Sequence, residues 1–305
     1  MKRIDLGASG LHASAVALGC MRIADMELKD ATAWIEAGLS LGMNLFDHAD
    51  IYGGGKSEEV FGKALRELPG RREQMVIQSK CGICKGYFDF SKEHIISSTD
   101  GILSRLGIEM LDVLILHRPD TLMEPEEVAA AFDALEAAGK VRRFGVSNQN
   151  PMQIELLSRT VRQKLIINQL QLSITNTGMM DCGLNVNMQN DATINRDGSV
   201  LEYCRLKEMT IQAWSPLQYG FFEGVFLGSD KYEALNSVLE RIAGEQGVST
   251  TAVAIAWILR HPANMQAVVG TTSLQRLKEV AAAEQVQLSR PQWYEIYRAA
   301  GNALP

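Results

Sequence analysis

Eight short apolar runs, each followed by a stretch of helical periodicity, predict an α/β fold: a (β/α)8 TIM barrel with an N-terminal β-hairpin and an extra C-terminal helix. The alternation continues over about 250 residues, the usual length of such a barrel. The runs, of which 111–116 (LDVLIL) is the longest, are apolar on both faces, as parallel strands covered by helices require. No GxGxxG follows the first run, which argues against the alternative of an open, doubly wound sheet. The chain, 1–305, is read as one domain of this kind.

Residues 2–14 read as a small hairpin turning on Gly7-Ala8-Ser9-Gly10. The first strand is 15–18, followed by a helix at 30–41. The second ends in Leu45-Phe46, before a helix at 57–68. The third is 75–78 with a helix at 92–106, and the fourth is 111–116 with a helix at 126–138. The fifth is 141–146; Pro151 suits the first turn of its helix, 152–158. The sixth is 165–170. A polar stretch, 175–198, has no clear period and reads as a loop before a short helix. The seventh strand, 210–213, leads into a loop at 219–230 and helices at 232–246 and 250–260. The eighth, 267–269, leads into a helix at 274–283, and 290–300 is the extra helix.

Composition bounds the function. The formal charge is −6 with no basic block, so nucleic acid and anionic membrane surfaces are not the expected partners. No run is long enough to span a bilayer. Lys2-Arg3 followed by Ala17-Leu18-Gly19-Cys20 faintly resembles a lipoprotein leader, but Asp5 and His12 interrupt the apolar core it requires. A cytoplasmic location is the expectation. Five cysteines without framework spacing fit free thiols in a reducing compartment. Cys81 and Cys84 form a CxxC, but a zinc site needs a second ligand pair and none is spaced for it; no metal is expected.

A barrel builds its active site from the residues at the carboxyl ends of its strands. Those residues here are Asp47 with Tyr52 beyond it, Lys80, His117, Ser147-Asn148, Asn168-Gln169, Trp214-Ser215-Pro216-Leu217 and Gly270-Thr271-Thr272. Singly, each has a bland reading: a solvated lysine, a core histidine, a core tryptophan. Together, Asp, Tyr, Lys and His on successive strand ends suit proton transfer to a carbonyl under reduction. A free tyrosine is too weak an acid at neutral pH, and a neighbouring ammonium is expected to lower its pKa. Asp47 would orient Lys80, and His117 would hold the carbonyl oxygen or relay a proton.

With these motifs the chain resembles the aldo-keto reductase family. FDHADIYG, QSK, LHRPD, GVSN, NQLQLS, WSPL and GTTSLQRLKE follow the family's order over nearly the whole chain. The resemblance implies a reductase of aldehydes or ketones that binds NADP(H), or NAD(H), without a Rossmann domain. It implies Asp47, Tyr52, Lys80 and His117 as the catalytic set, with Tyr52 as proton donor. It places Ser147, Asn148 and Gln169 on the nicotinamide carboxamide and Trp214 on its ring. Met21 and Asp47 would also line the cofactor. Ser215, Pro216 and Leu217 would follow the pyrophosphate; Gly270, Thr271, Thr272, Arg276 and Glu279 would surround the adenosine phosphate. Gly270 replaces a lysine of many relatives, which leaves Arg276 as the cation for a 2′-phosphate. The alternatives are a cofactor-binding regulatory module, like potassium channel β-subunits, and a Schiff-base enzyme using Lys80. A mouth of Met21, Tyr87, Phe88, Trp214, Tyr219 and Phe221 suggests a small apolar or aromatic carbonyl substrate.

Overall fold

A computed structural model describes residues 1–304. Eight parallel strands close a barrel: β1 (Val16–Gly19), β2 (Leu45–Asp47), β3 (Val76–Cys81), β4 (Leu111–Leu116), β5 (Val141–Ser147), β6 (Leu165–Gln171), β7 (Thr210–Trp214) and β8 (Met265–Val269). They neighbour one another in chain order, and β8 pairs with β1. Helices run antiparallel outside, several started by side chains that satisfy the first N–H groups. Asn150 and Ser289 head capping boxes, and Ser91, Ser249 and Ser273 accept from the third helical N–H. The expected barrel, hairpin and C-terminal helix are all present.

The hairpin, Arg3–Asp5 against His12–Ser14, closes the bottom of the barrel. Leu6 and Leu11 from its turn join Leu45, Val113, Ile166 and Ile167 in an inner apolar plug. Gly7 is required there. Its φ is +60°, and a Cβ would lie 2.5 Å from Ile166. The larger core fills the space between strands and helices, around Trp34, Phe46, Phe61, Phe132 and Phe144. The last helix, Arg290–Ala299, docks through a stacked pair. Trp257 and Trp293 lie 4.7 Å apart, and each indole N–H donates to the other's carbonyl at 3.0 Å.

Two expected loops contain structure. Residues 178–184 form a helix, Gly178–Leu184, and Tyr297 of the C-terminal helix donates to Asp181 at 2.7 Å. In 219–230, Gln218–Tyr219 pairs with Gly224–Val225. Neither segment shows a sequence period because each element is shorter than two helical turns or a full strand. No single helix among the described residues is long and apolar enough to cross a membrane.

His48 is fully buried against Phe61, ring centres 4.5 Å apart, and neither ring nitrogen has a partner. Burial, then the Lys80 charge, lowers its pKa from 6.5 to about 3. Below pH 6.5 the unfolded chain therefore takes up a proton that the native chain refuses. Native stability falls on that account by about 1.4 kcal/mol per pH unit until roughly pH 3. Asp50 works the other way between about 6 and 3.8, since burial raises its native pKa to about 6, so only a difference between variants isolates the imidazole. From pH 7 to pH 5, urea unfolding should show wild type losing about 2 kcal/mol relative to His48→Phe. A gap that stays constant over that range contradicts this account.

Candidate active site

The mouth is organised by the turn after β2. The strand ends at Asp47, and the chain tightens through Tyr52–Gly55, where Gly53, Gly54 and Gly55 all have positive φ. A Cβ on Gly53 would meet Ala24 at 2.7 Å and one on Gly55 would meet Arg105 at 2.8 Å. Glycine is what lets the turn bring Tyr52 back over the barrel end.

There it meets Lys80. The Lys80 ammonium is fully buried, and its three N–H groups have three acceptors. These are Asp47 Oδ2 at 2.9 Å, the His48 carbonyl at 2.7 Å and the Tyr52 hydroxyl at 3.0 Å. The His117 ring lies edge-on to Tyr52, centroids 6.1 Å apart. Asp47, Tyr52, Lys80 and His117, distant in sequence, thus form one cluster.

Its electrostatics differ from expectation in one respect. Lys80 was expected to lower the Tyr52 pKa; the net shift is upward. Burial of the phenol is the largest cause and outweighs the cation, and Asp47, 2.9 Å from Lys80, offsets part of that cation's field. Tyr52 therefore keeps its proton at neutral pH. Burial also opposes the charge on Lys80, but Asp47 and the Tyr52 oxygen overcome it and raise the lysine's pKa. For His117, burial first, then Lys80 and Arg118, drive the pKa well below 6.5, so the imidazole is neutral. Its Nδ1 is sealed from water without a partner. The neutral ring can hold a carbonyl oxygen; the acidic proton sits on Tyr52.

Below the cluster runs a network of amides. Gln78 of β3 and Gln169 of β6 both donate to Asp47 Oδ1 and to Gln212 Oε1 of β7. Gln212 in turn donates to Gln78 and to Gln266 of β8, which donates to the Ser14 carbonyl. The parallel register sets Gln169, Gln212 and Gln266 side by side. Barrel interiors are ordinarily filled by branched apolar side chains; here a connected polar layer holds the Asp47 carboxylate. Sequence reading missed Gln78, Gln212 and Gln266. The signal was a single glutamine inside each of three strand segments, VIQSK, TIQAW and MQAVV.

The remaining candidate residues divide into two groups. The first lies beside the tetrad. Ser147 Oγ donates to the Gln169 carbonyl at 3.1 Å, Asn148 Nδ2 donates to Ser147 Oγ at 2.6 Å, and Trp214 Nε1 donates to Asn148 Oδ1 at 3.3 Å. Asn148 and Ser215, just past β5 and β7, both have positive φ, +57° and +52°. Such strain at two strand ends is typical of a ligand-binding rim. Gln169 Oε1 receives no protein donor among the described residues, so it fits a carboxamide N–H. Pro216 is buried and Leu217 half-buried, while Met21 is exposed at the rim.

The second group lies after β8. The indole of Trp34 donates to the Thr271 carbonyl at 2.9 Å, and Arg22 donates to the Gly270 carbonyl at 3.2 Å. Ser273 caps the helix Leu274–Ala281, leaving Thr272 and Arg276 exposed at its start. Arg22 was not singled out from sequence. It lies 3.9 Å from where a Gly270 Cβ would be. Glu279 is half-buried and accepts from Thr251 and Gln275, each at 3.4 Å. Of the aromatics expected at the mouth, Trp214 and Phe221 meet edge to face at 6.2 Å, and Tyr87 and Phe88 are exposed. Tyr219 turns instead toward Tyr232 and Lys231. All five cysteines are unbridged; Cys81 is buried, and Cys84 lies 3.8 Å from His94 Nε2.

A closed parallel barrel with Asp, Lys, Tyr and His gathered at its carboxyl end defines a class of carbonyl reductase, and the chain belongs to the aldo/keto reductase family, whose model matches residues 15–300. It is 37% identical to 6-dehydroglucose reductase of Agrobacterium fabrum over 314 residues, covering 98% of both chains. It is 34% identical over 311 residues to oxidoreductase YdhF of Escherichia coli, again covering 98% of each. Among solved structures it matches an aldo/keto reductase from Klebsiella pneumoniae in complex with NADP and acetate. That match has a TM-score of 0.78 and 25% identity, and covers 99% of this chain and 96% of the other.

Proposed function

We propose that the protein reduces an aldehyde or ketone to the alcohol with NADPH, with Tyr52 as the proton donor. The observation that carries the reading is the hydrogen-bonded Tyr52–Lys80–Asp47 chain, its ion pair buried, beside a neutral His117. When bound, the reduced nicotinamide supplies hydride to the carbonyl carbon. The chain's own residues do the rest. His117 holds the carbonyl oxygen, Tyr52 gives that oxygen its proton, and Lys80 stabilises the phenolate left behind. Water then restores the phenol.

Ser147, Asn148 and Gln169 would hold the carboxamide, through donors and acceptors that the barrel has partly left free. Trp214 stands beside them, with Phe222 stacked on its ring at 5.9 Å. Arg276, in the first turn of its helix, and Arg22, against Gly270, would meet a 2′-phosphate with planar donor forks. A Schiff-base role for Lys80 has no support: an ammonium with all three donors engaged by Asp47, His48 and Tyr52 is not a nucleophile.

Consumption of NADPH with a panel of aldehydes and ketones that includes 6-dehydroglucose tests the reading. Absence of turnover with every carbonyl, in protein that binds the cofactor, would favour the regulatory-module alternative. Dissociation constants separate the cofactors. Arg276→Ala should weaken NADPH binding about ten- to a hundredfold, the reach of one charged hydrogen bond of roughly 1.5–3 kcal/mol, and leave NADH binding nearly as it was. Arg22→Ala should do the same to a smaller extent. Equal affinity of the native protein for the two cofactors would remove both arginines from the phosphate site.

A further inference from the structure

We infer that Arg118 makes this site selective for carbonyl substrates that also carry a carboxylate; the inference rests on the reductase reading above. Arg118 directly follows His117 at the end of β4 and is half-buried. Its guanidinium carbon stands 5.7 Å from the centre of the Trp214 ring, a cation–π placement. Its charge bears on both Tyr52 and His117, so it shares their end of the cavity.

What marks it is partial burial beside the site with no counter-charge. Arg72 is paired with Asp112 and Arg105 with Glu58, both at 2.9 Å or less. Arg118 makes no hydrogen bond and no ion pair among the described residues. The nearby acids are committed elsewhere. Asp120, two positions on, accepts the N–H groups of Phe90 and Leu122 at 3.0 and 2.9 Å. Asp47 is held by Lys80, Gln78 and Gln169. Burial lowers the Arg118 pKa, and the Tyr52 oxygen, not a carboxylate, works against it.

A guanidinium that has lost water and gained no anion is a ready site for one. Its planar fork matches a carboxylate through two parallel N–H···O bonds. The carbonyl oxygen must reach Tyr52 and His117, so the carboxylate belongs on a short or flat scaffold that also passes Trp214. This differs from the apolar mouth expected from sequence, in which Arg118 was not counted. The position was visible in LHRPD; its isolation from every acid was not.

The test uses matched pairs. Succinate semialdehyde and 4-formylbenzoate are each compared with their methyl esters, which keep the aldehyde and remove the charge. In at least one pair, wild type should favour the acid by about ten- to a hundredfold in kcat/KM, the reach of one charged hydrogen-bonded contact. The difference should lie mainly in KM. In Arg118→Met the acid-to-ester ratio should collapse toward one, and Arg118→Lys should restore part of it. An unchanged ratio, an equal loss on acid and ester, or a loss of NADPH affinity in place of a change in the ratio each overturns the inference while leaving the reductase reading intact. Failure of wild type to oxidise NADPH with any of the four probes overturns the inference, while the reductase reading falls only if the wider carbonyl panel also fails.

Discussion

Tyr52→Phe is expected to lower turnover by a factor of about 10² to 10⁴, the range that general acid catalysis supplies, with cofactor affinity and fold retained. The change removes one oxygen and no volume from the ring's surroundings. The Lys80 ammonium loses one acceptor but keeps two others, Asp47 and the His48 carbonyl, so the cation is not stranded. His117 cannot substitute as the acid, because burial and the two neighbouring cations hold it neutral. The native enzyme should stay active up to alkaline pH, since the Tyr52 pKa lies above the ordinary tyrosine value. The donor is lost only as pH rises through that raised pKa. Turnover of the Phe variant within a few-fold of wild type would remove Tyr52 from the role.

Lys80→Met should abolish most turnover and also destabilise the fold, and the two effects can be separated. Without the ammonium the phenolate loses the cation hydrogen-bonded to it, so the phenol becomes a still weaker acid. The rate plateau should drop, and the alkaline limb should move to higher pH. The variant also leaves the Asp47 carboxylate buried against amides alone. Breaking a buried pair from one side costs about 3–5 kcal/mol, enough to endanger a domain of ordinary stability. The double variant Asp47→Asn, Lys80→Met removes both charges and should recover much of that loss without recovering activity. If the double variant regained turnover, Lys80 would be acting only as a structural partner of Asp47. A borohydride-trapped substrate adduct on Lys80 in the native enzyme would point to the Schiff-base chemistry that its geometry disfavours.

The polar layer beneath the site bears on both variants. Gln78 and Gln169 donate to one Asp47 oxygen while Lys80 takes the other, so the carboxylate is fixed from below and from the side. The orientation of that carboxylate sets the orientation of the ammonium. Positioning of the Tyr52 hydroxyl thus extends through Lys80 and Asp47 into the barrel interior.

Much of this was open to a reader of the chain alone. Apolar runs spaced by amphipathic stretches depend on local pattern, and the barrel, the hairpin and the C-terminal helix followed from it. Asp47, Tyr52, Lys80 and His117 were found because strand ends face one mouth in any such barrel, so that position in sequence implies convergence in space. What required the tertiary structure was the environment of each group. The pKa of Tyr52 moved up, against expectation, because the extent of its burial depends on segments far from it in sequence. Gln78, Gln212 and Gln266 looked like lone polar residues until parallel register joined them. Arg118 and Arg22 looked like two solvated arginines among many. Only folding showed one near Tyr52 with no acid paired to it among the described residues, and the other against Gly270. A sequence lists its charges, but desolvation and pairing are properties of whatever surrounds them, and contacts between distant segments decide both.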